Sequence, residues 1–246
     1  MENVLLFYLG ACFGSFINVI SYRMPRKKSF IKGRSYCESC GQMIYWFDLL
    51  PLVSYLLLKG RCRYCHQKIS ILHPLSELIS GGLLLLCFNQ NSFSLHTLVL
   101  FFSLLDLLVI AIIDLKTMVI YRSTLLFLVI MVCIYRMLTG FVLSDLILGM
   151  VIVSGIMVLI NLFVVSFGNG DIELMIVVGI LLGWKNNILA FVISILIGGI
   201  ISVYLLLTNK STLKSYIPFG PFLVLGTVIT LFYGQSLING YLGLFI

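Results

Sequence analysis

The stretch VLFFSLLDLLVIAIIDLKTMVIYR, residues 99–122, decides the fold. Its apolar part holds a single charge, Asp106, and a second aspartate, Asp114, opens a short polar break, DLKTMVIYR. A helix needs about 20 predominantly apolar residues to cross the hydrocarbon layer, and the run 95–113 meets that length. An apolar run that stops at a carboxylate reads as a membrane span ending at a face of the bilayer.

The remaining chain repeats the pattern. Of 246 residues 61% are hydrophobic and 10% charged, against about 25% charged in a soluble domain, and the mean hydropathy is +1.13. Such a composition cannot cover a water-facing surface. Eight spans are predicted, at about 4–22, 75–88, 95–113, 121–138, 145–167, 172–183, 188–207 and 217–233, the second and sixth of them short. The fold class is therefore all-α integral membrane, with a polar loop between the first two spans. The apolar piece 49–58 is too short to cross and belongs to that loop. The first span lacks a basic start, so it reads as a retained span and not as a cleaved signal peptide. The chain divides into a first span, 1–22, a loop, 23–74, and a membrane-embedded part, 75–246. No internal repeat is evident.

Charge sets the orientation. Ten of the sixteen Lys and Arg residues fall within 23–68, which places that loop in the cytoplasm under the positive-inside rule. With the N-terminus outside, alternation also puts Lys116, Arg122, Lys210 and Lys214 inside, fourteen of sixteen in all; Arg136, which can snorkel, and Lys185 disagree. The net charge of +7 is thus attributed to the membrane face and not to nucleic acid, since no aromatic stacking surface accompanies it.

Carboxylates in or beside spans are functional candidates by default. Five qualify: Glu77, Asp106, Asp114, Asp171 and Glu173. Glu2 and Asp145, at outer span ends, read as solvated. Asp171 ends the tetrad Gly168-Asn169-Gly170-Asp171 and begins an apolar run. Two spans separate it from Asp114, so both lie on the same face. Carboxylates within hydrogen-bond reach share a proton; the ionised member can activate water while the protonated one polarises a carbonyl. Gly168 and Gly170 allow close approach of a substrate strand or helix. The helix dipole favours ionised Asp171, which suggests it as the base. The alternative is that both are ordinary helix ends, Asp171 being an N-cap. Asp106, eight residues before Asp114 and deeper in the membrane, reads as a buried polar partner; Glu77 and Glu173 read as paired or interfacial.

The loop carries Cys37-Glu-Ser-Cys40 and Cys62-Arg-Tyr-Cys65. Two C-x-x-C pairs at this separation suit a tetrahedral zinc with four thiolates, and cytoplasmic thiols favour metal over disulfides. No open coordination position is implied, so the zinc is structural, with Cys37, Cys40, Cys62 and Cys65 as ligands. His66 offers an alternative ligand in a mixed set, and Gly41, Gly60 and Arg61 suit turn and cation roles. His73 and His96 read as interfacial; Cys12, Cys87 and Cys133 read as buried apolar residues.

These residues together resemble the bacterial type IV prepilin peptidase family, whose members also act as prepilin N-methyltransferases. The resemblance runs through GSFINVISYRMP (14–25), the two C-x-x-C pairs, DLLPLVSYLLLKGRCRYC (48–65), KISILHPLSEL (68–78), DLKTMVIYR (114–122), GNGD (168–171) and IPFGPFL (217–223). It implies that Asp114 and Asp171 are the catalytic pair. It further implies cleavage of prepilin or pseudopilin leaders after a glycine at the cytoplasmic membrane face, then methylation of the new amine from S-adenosylmethionine. The cysteine loop marks the bifunctional form. Three positions depart from the family pattern: Tyr121 and Arg122 stand where Pro and Asp or Asn are usual, and Glu173 where lysine is favoured. No glycine-rich nucleotide fingerprint assigns residues to S-adenosylmethionine. The competing readings are a peptidase without methylation and, in a different class, an ion-coupled membrane transporter.

Overall fold

The computed structural model describes residues 1–91, 93–164, 166–208, 212 and 216–243. Lys210 and Lys214, counted above for orientation, lie outside the described residues. The described chain is almost wholly helical: α1 (Glu2–Arg23), a 3-10 turn (Trp46–Leu49), α2 (Val53–Leu57), α3 (Leu72–Asn91), α4 (Leu95–Thr117), α5 (Arg122–Thr139), α6 (Leu143–Phe163), α7 (Asn169–Leu182), α8 (Trp184–Leu207) and α9 (Gly220–Leu242). Seven of these, all but α2 and α7, are long and apolar enough to cross a membrane.

The boundaries depart from the sequence reading in instructive ways. Helix α3 starts at Leu72 and is 20 residues long, so the second span is not short. Helix α9 continues through Gln235 and Asn239, which bond each other one turn apart and thus cost the helix little. Only α7 remains short, with 14 residues, or about 21 Å at 1.5 Å per residue. Its burial explains the shortness. Leu174, Met175, Val177, Val178, Leu181 and Leu182 are buried, and α5, α6, α8 and α9 all pack on it. A helix wrapped in protein need not match the lipid thickness.

The chain forms two compact units, Met1–Ile113 and Asp114–Ile246. In the first, α1 packs along α3. The approach is close: a Cβ built at Gly14 would lie 2.6 Å from Glu77 Cα, the small-residue packing expected between membrane helices. Asn18 donates to His73 O and accepts from Ser76 Oγ, tying the two helix ends together. Arg23 is buried and donates to the carbonyls of Ser29, Lys32 and Arg34. Its guanidinium therefore organises the start of the loop rather than facing lipid headgroups.

In the second unit α7 is the central helix. Gly149 of α6 and Gly179 of α7 meet backbone to backbone, and Asn187 of α8 donates to Gly149 O and Met175 O. Asp145 is not simply solvated: it accepts the Trp184 N–H and so caps α8. Arg136 likewise donates to Ile180 O near the end of α7, which accounts for a cation that orientation alone left unexplained.

Candidate functional site

The carboxylates of the two aspartates singled out by the sequence each meet a helix start in the second unit. Asp114 is buried in the last turns of α4. Its Oδ2 accepts the backbone N–H of Gly220 at 3.0 Å, and Gly220 is the first residue of α9. Asp171 occupies the third position of α7, where its Oδ2 accepts the Gly168 N–H at 3.1 Å. Each carboxylate thus takes one of the amides a helix start leaves free. The dipole argument that singled out Asp171 as base applies equally to Asp114, so it does not distinguish them.

Three segments bring these groups together. Met118, in the left-handed region at φ 53, turns the chain out of α4, and Ile120 then packs on Gly170, where a Cβ would lie 2.9 Å from Ile120 Cβ. Phe167, just before the tetrad, packs in a tilted pair against Phe219, just before Gly220, at 5.3 Å between centroids. Phe191 of α8 lies 5.9 Å from Phe167. The segments 114–120, 167–171 and 219–220 are thereby joined, and the two carboxylates they carry stand in one neighbourhood.

Sequence reasoning missed the residues that hold this arrangement. Asn161, near the end of α6, accepts the N–H groups of Ser166 and Phe167 at 3.0 and 2.9 Å and donates to Phe167 O at 2.8 Å. One amide side chain therefore fixes the segment leading into Gly168; an asparagine within the apolar run MVLINLFVV was the available signal. Gly220 was visible only as part of IPFGPFL. A Cβ there would lie 2.6 Å from Asp114 Oδ2, so only glycine lets the amide reach the carboxylate.

The other candidates do not join the pair. Glu77 belongs to the first unit and accepts the Leu52 N–H at 2.7 Å and the Ser15 hydroxyl. Asp106 is buried, as expected, and its Oδ2 has no hydrogen-bond partner among the described residues. Glu173 is partly exposed in the second turn of α7. Tyr121 caps α5, its carbonyl taking the Thr124 hydroxyl and N–H, and Arg122 is exposed.

The four loop cysteines converge, with their sulfurs all within 4.8 Å of one another; Cys37 and Cys65 are 3.9 Å apart. A tetrahedron with zinc–sulfur arms of about 2.3 Å has edges near 3.8 Å, so the set fits a metal ion. The two knuckles are copies of each other, a short repeat in YCESCGQM (36–43) and RCRYCHQK (61–68) overlooked in the sequence. In each, the first cysteine N–H donates to the glutamine carbonyl (Gln42, Gln67), and the residue after the second cysteine donates back (Gly41, His66). Antiparallel bridges Tyr36–Met43 and Arg61–Lys68 close both. His66 holds the left-handed position of Gly41, φ 56 against 71. It is a turn residue and lies outside the metal-binding cluster. Backbone N–H groups, first that of Cys65 and also that of Tyr64, hold the Cys62 thiol down to about 7, with the neighbouring thiols adding to the effect against some burial, which readies it as a thiolate.

Comparison with known proteins places this geometry. Residues 8–91 match the model of the bacterial peptidase A24 N-terminal domain, and residues 99–203 that of the type IV leader peptidase family. A prepilin leader peptidase/N-methyltransferase of Bacillus subtilis (strain 168) is 30% identical over 97% of both chains. Proteins of the same name from Vibrio cholerae serotype O1 and Legionella pneumophila are 32% and 30% identical, over 93% and 94% of this chain and 96% and 91% of theirs. No solved structure matches significantly. The similarity covers both the cysteine loop and the aspartate-bearing helices, and on that evidence the chain belongs to the type IV leader peptidase family.

Proposed function

We propose that this protein cleaves the leader of prepilins or pseudopilins with an Asp114–Asp171 dyad and then methylates the exposed amine. One observation carries the reading: two carboxylates from separate helices, each held by a single helix-start amide, on segments joined by the Ile120–Gly170 approach and the Phe167–Phe219 ring pair. Such a pair retains one proton. The ionised member takes a proton from water, whose oxygen attacks the carbonyl carbon of the leader's last glycine. The protonated member donates to the carbonyl oxygen. Collapse of the tetrahedral intermediate breaks the C–N bond, and the departing amine takes up a proton. The pair titrates as a unit, so acid and base are roles of the dyad.

Zinc on Cys37, Cys40, Cys62 and Cys65 would fold residues 23–74, a loop without a core of its own. S-adenosylmethionine, the methyl donor, supplies an electrophilic methyl group on a sulfonium when bound. Residues 75–246 would form the peptidase part. The positive-inside count supports a bacterial inner-membrane enzyme with its N-terminus outside and its loop and dyad at the cytoplasmic face.

The test is mass spectrometry of a prepilin-like substrate incubated with enzyme-bearing membranes and S-adenosylmethionine. The expected product begins immediately after the leader glycine and carries one added methyl. Cleaved, unmethylated product would restrict the function to peptidase; uncleaved substrate would overturn it.

A further inference from the structure

A methyltransferase must hold its donor, and that donor is a cation: a nucleoside attached to a sulfonium. The first unit contains a cavity of about 320 Å³ between the zinc knuckles and α3, in the size range of ligand sites. Its lining includes Tyr36, Tyr55 and Tyr64, the carboxylates Asp48 and Glu77, and the cation Lys68. The two carboxylates differ in state. Asp48 is neutralised by Arg63, with bonds of 2.6 and 2.9 Å. Glu77 is 8% exposed, and its two donors, Leu52 N–H and Ser15 Oγ, are both neutral. Neither donor brings the buried Glu77 carboxylate a positive charge, whereas Asp48 has the Arg63 guanidinium.

A buried carboxylate costs free energy unless paired, and here it lines a cavity walled by aromatic rings. Carboxylates and ring faces are what stabilise an organic cation, and flat tyrosine rings also suit a purine. Lys68 supplies the opposite charge for the donor's carboxylate. We infer that this cavity is the S-adenosylmethionine site and that Glu77 is the partner of the sulfonium. The inference rests on the methyl-transfer half of the proposed function.

Glu77→Gln is the informative variant, since Gln keeps an acceptor for the Leu52 N–H, which holds Leu52 in a left-handed conformation at φ 60. Calorimetric titration of the purified full chain with S-adenosylmethionine, and with neutral-sulfur S-adenosylhomocysteine, reads the effect. Glu77→Gln should weaken S-adenosylmethionine at least tenfold and S-adenosylhomocysteine far less, while retaining its zinc. Unchanged S-adenosylmethionine affinity overturns the site; equal loss of both ligands overturns the sulfonium assignment. Ultraviolet cross-linking of methyl-labelled S-adenosylmethionine to the wild-type chain tests the location without any variant. Label within peptides from 36–77 is expected, and label confined elsewhere refutes the inference. A wild-type chain that cleaves prepilin but binds no donor would instead refute the methyltransferase reading itself.

Discussion

Replacing Gly220 by alanine tests the dyad through a residue that carries no chemistry. The added Cβ would lie 2.6 Å from Asp114 Oδ2 and 3.0 Å from its Cγ, well inside contact distance. Either the carboxylate swings away or α9 retreats, and both break the 3.0 Å bond from the Gly220 amide. A hydrogen bond to a charged group contributes about 1.5–3 kcal/mol, or roughly a 10- to 100-fold change in rate. A displacement of about 1 Å costs a rate factor of the same order. Gly220→Ala should therefore lower kcat for leader cleavage at least tenfold. The overpacking should lower stability by about 1–3 kcal/mol, leaving the protein folded and zinc-loaded. The assay is cleavage kinetics of purified enzyme alongside its melting temperature. Parent-like kcat in Gly220→Ala would show that the Asp114–Gly220 contact is irrelevant to the reaction.

Other consequences follow from the same geometry. Asn161→Leu removes three bonds to the 166–167 backbone and should cut cleavage about tenfold by loosening the approach to Asp171, at roughly one to three kcal/mol of stability for unsatisfied groups; kinetics and thermal melts check both. Asp145→Ala uncaps α8 far from the dyad and should cost about 0.5–2 kcal/mol in stability while cleavage by the folded protein stays at the parent level. Metal analysis of the purified chain should find one zinc per molecule, and Cys40→Ser should reduce it several-fold, with protease sensitivity rising within the loop.

Much of this was legible in the sequence, because the signals are local. Apolar runs declared the helices, the break after Asp114 and the tetrad ending at Asp171 marked two carboxylates on one side, and paired C-x-x-C motifs declared the metal cluster. What the sequence left open depends on distant pairs. The amide that grips Asp114 lies 106 residues away, and nothing near Gly220 announces its partner. The sixth span was read only as short; its shortness reflects burial by four neighbouring helices, which hydropathy cannot separate from lipid exposure. Asp145 and Arg136, assigned to water and to snorkelling, instead satisfy backbone groups of α8 and α7. Helix starts had been credited to Asp171 alone because the α9 end that meets Asp114 is brought there by the fold. Asp106 stays buried with an unbonded oxygen, and nothing in the structure explains it.

The central claim is that Asp114 and Asp171 cut the substrate together. Its most direct test is leader cleavage by the parent chain and by Asp114→Asn and Asp171→Asn, in membranes where all three accumulate equally and hold zinc. The account predicts that each single substitution abolishes cleavage. Cleavage at the parent rate by either variant would contradict it.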